Sequence, residues 1–425
     1  MNEQAILSRL KREVCVAQGC TEPIAVSYAV SLACEDLKEE VQSLDVYLST
    51  NMLKNAMGVG IPGTGETGLE IAVALGAVIQ QSSKGLEILC DLDADTLQAA
   101  HEMMAQGKIH IHHAETNETL YIEVQARSLN HHSTVRIARE HTHVIYHACD
   151  GQVFYEEMLD KQKKVESIDQ DVMTVQDILD FSRHVAIEKI SFLEEGALMN
   201  KAVSDEGLKG SYGLQVGRKI KASESQNLLA QNLASHLVAV TAAASDARMD
   251  GCPMPIMTTA GSGNQGITCS LPVYELAKLL DKSREEMLRA LAISQLMTIH
   301  IKHYMGRLSP LCGAGIAGTT GACCGITYLL GGTDKQIGYA INNMLSDVSG
   351  MLCDGAKSTC ALKIATNVHA AVQCANLALS DISPNETQGI VFDDAEKTIS
   401  HLGVLVKVGL ANADDCILDI MLQKC

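Results

Sequence analysis

The stretch Thr119–Ala148, "TLYIEVQARSLNHHSTVRIAREHTHVIYHA", contains three short runs in which apolar and polar residues alternate, each of strand length. Working outward, "VQSLDVYLST" (41–50) and "KIHIHHAE" (108–115) read the same way, and a helical interlude falls around Asp95–Gln106. Before this region, Ile6, Leu7, Leu10 and Val14 mark an amphipathic helix that stops at Gly19, and a second helical run begins near Pro23. Cys20 then sits at a corner between two helices. After about Ser167 the period becomes helical: Ser283 with Glu286 and Thr333 with Gln336 have capping-box spacing, and Ile337, Ala340, Ile341, Met344, Leu345 and Val348 form one apolar stripe. The expected fold class is α+β, a mixed α/β domain followed by a mainly helical C-terminal domain. The expected division is 1–40 as N-terminal helices packing on the helical domain, 41–165 as mixed α+β, and 166–425 as all-α.

The chain has 425 residues, 47% of them hydrophobic, which is enough for a sizeable core. Its 51 acidic and 33 basic residues give a net charge of -18, and aromatics are 3% without Trp. Nucleic acid is excluded as a partner, because both the basic surface and the stacking platform are missing. The start, "MNEQAILSRLKREV", is charged where a secretory signal needs an apolar core, so a cytoplasmic location is expected. Fifteen cysteines in a reducing compartment read as buried small residues, not as a disulfide framework. "PLCGAGIAGTTGACCGITYLLGG" (310–332) is uncharged, but its Gly and Thr content argues for a buried helix hairpin and against a membrane span.

Several patterns leave alternatives open. Gly58, Gly60, Gly63 and Gly261, Gly263, Gly266 both match G-x-G-x-x-G, yet neither clearly follows a strand in a βαβ unit. Such loops serve equally as turns or as carboxylate cradles, the second supplying Ser262, Asn264 and Gln265 as donors. The pairs His110, His112 and His141, His143 could share strand faces, but no Cys or acid pattern completes a zinc site. Lys357 and Lys363 lack the phosphate-cradling loop expected beside a pyridoxal phosphate lysine. In "GMLCDGAKSTCALK" (350–363) an unbroken helix would separate Cys353 and Cys360 by about 10.5 Å along its axis. Asp354-Gly355 offers a break that lets both thiols turn inward. No CxxC pair is present, and spacing alone leaves the use of the cysteines undecided. Cys312, Cys353 and Cys360 all lie beside helix ends or glycines, where backbone can bend around an inorganic cube, and three thiolates on four irons leave one iron open as a Lewis acid.

The motifs "GCTEPIAVSYA", "STNMLKNAMGVGIPGTG", "SDARMDG", "GSGNQGIT", "GRLSPLC" and "DVSGMLCDGAKSTCALK" run from Gly19 to Lys363. Together they resemble the L-cysteine desulfidase family, a relative of the iron-sulfur L-serine dehydratases (alpha-subunit type). The resemblance implies a 4Fe-4S cluster held by Cys312, Cys353 and Cys360 in the helical, catalytic domain, with Cys20 as catalytic base or temporary fourth ligand. Cys20 is expected as a thiolate, because a helix N-terminus favours that form. With chemistry added, the resemblance assigns the substrate's carboxylate to Asn51, Lys54, Asn55 and Thr64 of one loop and to Ser262, Asn264 and Gln265 of another. Lys54 has an alternative reading as an ordinary surface lysine. Cys323 and Cys324 lie outside the motifs and read as packing residues. The implied reaction eliminates hydrogen sulfide from L-cysteine to give pyruvate and ammonia. The alternatives are the same chemistry on L-serine, which the absence of the usual amino-terminal domain pattern of the serine dehydratases weakens, a non-catalytic cluster sensor, and a pyridoxal phosphate lyase. The partner expected is a small amino acid; no membrane is implied, and homo-oligomer assembly is left open.

Overall fold

The computed structural model describes residues 1–159, 172–223 and 232–424, so the expected boundary near residue 165 lies outside the described residues. The fold is α+β, with a sheet in the N-terminal part and a mainly helical C-terminal part. Strands β2 (Ser43–Leu48), β3 (Ile109–His113), β4 (Tyr121–Arg127), β5 (His132–Ala138), β6 (Val144–Cys149) and β7 (Gln152–Glu156) form one sheet in the order β3-β2-β4-β5-β6-β7. Only β2–β3 is parallel. Period-2 alternation buries Leu44, Val46, Leu48, Ile122, Val124, Val135 and Ile137 on one face. Helix α1 spans Glu3–Glu13, and α2 (Thr21–Glu35) lies against the sheet's apolar face through Ala25, Val26, Ala29 and Val30.

Helices α3 (Thr50–Ala56) and α4 (Leu69–Ile79) follow β2, and α5 (Ala94–Ala105) occupies the expected helical interlude. The helical part comprises α6 (Val175–His184), α7 (Phe192–Lys209), α8 (Val216–Ser223), α9 (Leu233–Met249), α10 (Gly263–Leu279), α11 (Arg284–Met305), α12 (Thr319–Leu329), α13 (Asp334–Val348), α14 (Cys360–Leu379), α15 (Ala395–Val404) and α16 (Ala413–Leu422). Both expected capping boxes form, at the starts of α11 and α13, and the stripe from Ile337 to Val348 is buried. Residues 310–332 are not a hairpin: a wide turn at Ala314–Gly318 leads into α12 alone. Its small residues serve close packing, since a Cβ on Gly321 would lie 2.3 Å from the Ser294 carbonyl oxygen. Cys323 and Cys324 are fully buried there. No helix among the described residues is long and apolar enough to cross a membrane.

The two ends of the chain cross over. Ile6, Leu7 and Leu10 of α1 belong to the core of the helical part, whereas Leu418 of α16 belongs to the core under the sheet.

Candidate active site

A short strand, β1 (Val16–Gln18), pairs antiparallel with β8 (Pro255–Met257). This pairing lays the start of α2 beside the end of α9 and the start of α10. The Gly19 carbonyl accepts a 3.0 Å hydrogen bond from Arg248 Nη2, and Cys20 follows as the N-cap of α2. From the loop after α3, the Gly60 N–H donates to the Met249 carbonyl at 2.8 Å. The second glycine motif does open a helix, α10, but the strand before it is antiparallel, so no dinucleotide unit results.

The other wall is built from two cysteine loops. Cys312 N–H donates to the Met351 carbonyl (2.8 Å) and Cys353 N–H to the Pro310 carbonyl (2.7 Å), across an isolated bridge between Leu311 and Leu352. Gly355 then turns the chain at φ +94°, with no room for a side chain: a Cβ would lie 2.2 Å from the Lys54 carbonyl oxygen. Cys360 opens α14. The two cysteines share no helix: α13 ends at Val348, before Cys353, and Asp354-Gly355 lies in the loop that leads to α14.

Cys20, Cys312, Cys353 and Cys360 all line one cleft. Burial, and then the neighbouring Cys353 and Cys360, push the Cys312 thiol up to about 12; the Gly315 N–H donates to its sulfur at 3.3 Å. Among the described residues no three His, Cys, Asp or Glu side chains converge as ligands of a single metal ion. A cube makes a different demand, because each thiolate binds its own iron and the donors need only surround a common space. The donor set here fits that demand. Metal binding would have to displace the thiol protons.

Cys20 departs from the thiolate expectation. It does stand at a helix N-terminus, but burial first, and then the charge of Glu22, push its thiol well above its ordinary value. Its Sγ–H donates to Glu22 Oε2 at 3.0 Å. Burial disfavours the charge on Glu22, yet His141, the Cys20 thiol and Arg248 together outweigh it and hold the carboxyl below its usual range. Asn55 Nδ2 donates to the other carboxylate oxygen at 3.1 Å. The arrangement is a protonated thiol on a charged carboxylate.

Of the expected carboxylate-binding residues, Asn55, Ser262, Asn264 and Gln265 line the cleft. Buried polar atoms without a partner among the described residues come from three of them, Asn55 Oδ1, Asn264 Oδ1 and Gln265 Oε1, with Arg248 Nε as a fourth. Asn51, Lys54 and Thr64 do not line it. Lys54 is completely buried, its ammonium taken by Asp414 of α16 and by the Cys353 carbonyl, so it is neither a substrate ligand nor a surface lysine. Thr64 bonds back to the Ile61 carbonyl within its own turn. Asn51 is buried elsewhere in α3.

Sequence reasoning passed over Glu22, Arg248, Lys302 and Arg307, all of which line the cleft. Three of them lie inside motifs quoted above, Glu22 in "GCTEP", Arg248 in "SDARMDG" and Arg307 in "GRLSPLC", so the signal was present. Lys302, within α11, carries no local signature. Burial lowers its pKa to about 8, against the opposing influence of Cys353 and Cys312. The strand histidines form no metal group among the described residues: His112 pairs with Asp45 and His143 with Glu157. Lys363 is occupied by Asp354 and the Leu352 carbonyl.

The serine dehydratase alpha chain family matches this sequence over residues 83–419. A UPF0597 protein of Clostridium perfringens (strain ATCC 13124) is 54% identical over 418 residues, 98% of each chain. A UPF0597 protein of Parabacteroides distasonis is 41% identical over 426 residues, covering 99% of this chain and 98% of its own, and one of Bacteroides thetaiotaomicron is 40% identical over 423 residues, covering 99% and 97%. On this evidence, together with the fold and the cysteine-lined cleft, the chain belongs to the serine dehydratase alpha chain family.

Proposed function

We propose that the protein is an iron-sulfur-dependent lyase that eliminates hydrogen sulfide from L-cysteine, giving pyruvate and ammonia. The observation that carries this reading is the meeting of Cys20, Cys312, Cys353 and Cys360 with amide oxygens and an Arg248 Nε that have no partner among the described residues, in one cleft. Cys312, Cys353 and Cys360 would hold a 4Fe-4S cluster, which when bound supplies Lewis acidity toward a departing sulfur or oxygen.

The remaining work falls to the chain. Arg248 Nε, the start of α10 and the Ser262 hydroxyl offer donors to the substrate's carboxylate, and the amide oxygens of Asn55, Asn264 and Gln265 offer acceptors to its ammonium. The Cα proton needs a base close to hand. Cys20 becomes one by passing its thiol proton to Glu22 along their existing hydrogen bond, and then accepts the proton from Cα. As that C–H bond breaks, its electrons form the Cα–Cβ double bond and the Cβ–S bond opens with its pair on sulfur. The departing hydrosulfide takes the proton held by Glu22 and leaves as hydrogen sulfide, which restores the thiol-carboxylate pair. The aminoacrylate product tautomerises and hydrolyses in water.

L-serine is the second reading, favoured by the family match. Anaerobic purification with iron and sulfide analysis, followed by pyruvate and sulfide assays on both amino acids, tests the proposal. Sulfide and pyruvate from L-cysteine support it; pyruvate from L-serine alone selects the second reading; iron-loaded protein inert on both is the outcome expected of a sensor.

A further inference from the structure

A second cleft lies behind the first. It is lined by Arg9, Arg12 and Glu13 of α1 and by Lys302, His303 and Arg307. Lys302 and Arg307 line both clefts, so the two spaces share a wall.

Its charge is opposite to that of the molecule. Across a chain of net charge -18, three arginines and Lys302 meet here around a single carboxylate. Glu13 is shared between Arg12 (3.3 Å) and Arg307 (3.2 Å), while Arg9 makes no ion pair or side-chain hydrogen bond among the described residues. Lys302 runs along the shared wall, and its ammonium lies toward Gly313 of the cysteine-lined cleft. It is only 6% exposed, and its ammonium likewise has no hydrogen bond or ion pair among the described residues. A buried ammonium without a partner is costly, and a concave basic wall focuses potential on small anions.

We propose that the cleft between α1 and the end of α11 is a binding site for a small carboxylate monoanion, through which the 2-oxo acid product leaves. This rests on the lyase reading, in which a zwitterion without net charge and water become a 2-oxo acid anion, an ammonium ion and hydrogen sulfide. The anionic product differs in charge from the substrate, and the basic cleft attracts only the former.

Calorimetric titration with sodium pyruvate at low salt tests the site on the whole protein. The wild type should show saturable binding, and the Arg9→Gln/Arg12→Gln double variant should weaken it about fivefold or more. Glu13→Gln, which removes the only carboxylate, should tighten it. Unchanged affinity in both variants would overturn the proposal, as would chloride competing as well as acetate at equal concentration, since the cleft would then be only a positive surface. Loss of helicity in the double variant would shift the decision to Glu13→Gln, where no tightening overturns the site. The two readings fail separately. Protein that makes no pyruvate from L-cysteine or L-serine, yet binds it through Arg9 and Arg12, refutes the lyase and keeps the cleft; an active lyase whose pyruvate affinity ignores both arginines refutes the cleft alone.

Discussion

At the scale of single residues, the pair Cys20 and Glu22 decides how a buried thiol can act as a base. A thiol pushed upward by burial and by a carboxylate is a poor source of thiolate unless that carboxylate takes the proton as the substrate arrives. Glu22→Gln preserves size and hydrogen bonding but cannot accept the proton. It should lower kcat about 100-fold or more while iron content stays at the wild-type level; equal kcat in the pyruvate assay would show that Glu22 only packs. Asp246 gives a second residue-scale prediction. Its carboxyl is raised to about 7, by burial first, with the Gly217 and Val216 N–H groups and Asp250 as smaller influences. The folded protein therefore binds this proton more tightly than the unfolded chain, and the group's contribution to stability is full at low pH and declines as pH rises toward 7. Asp246→Asn should add about 1 to 2 kcal/mol at pH 8.5, after allowance for screening, and almost nothing near pH 4. Urea denaturation at the two pH values measures the difference.

At the scale of elements, α16 reaches the cysteine loop through one buried charge. Asp414 engages Lys54, and Lys54 Nζ also donates to the Cys353 carbonyl at 3.1 Å. Asp414→Asn leaves a fully buried ammonium without its counter-charge and should cost about 2 to 4 kcal/mol, read by denaturant unfolding of the protein without metal. Gly355→Ala acts on the same loop. The positive φ and the blocked Cβ position oppose any side chain there, so the loop must shift Cys353 and Cys360 relative to each other. Anaerobic reconstitution should then bind markedly less iron per chain than wild type, with the helical circular dichroism signal retained.

The same elements show what the sequence could disclose. Strands β2 to β6, the interlude helix α5 and the two capping boxes were legible, because period and caps are local signals, whereas the edge strand β7 was not read. Helices α3 and α4 were not. α3 is only seven residues, and α4 is apolar around its circumference, packed so tightly on α2 that a Cβ on Gly76 would lie 2.4 Å from the Ser27 carbonyl oxygen. Lys54 was misassigned for a different reason: its partner Asp414 is 360 positions away, and no local pattern records such a pairing. Lys302 was invisible because it sits inside α11 with no local signature, whereas Ser262, Asn264 and Gln265 share one helix start and could be read together.

At the scale of the whole molecule, the chain crosses between its two parts at both ends. Helix α1 is buried in the helical core, α16 in the core beneath the sheet, and β1–β8 pairing ties the start of α2 to α10. The candidate site belongs to neither part alone: Cys20, Glu22 and Asn55 come from the sheet side, Arg248 and the other three cysteines from the helical side. Separating the parts would expose Ile6, Leu7 and Leu10 on one side and Leu418 on the other, and would open the Lys54–Asp414 pair. Thermal unfolding without metal should therefore be one transition, the same by far-ultraviolet circular dichroism, which follows the helices, and by calorimetry, which follows the whole. Two calorimetric peaks, with the helical signal surviving the first, would mean that the crossing ends do not couple the parts and that the cleft between them can open before either unfolds.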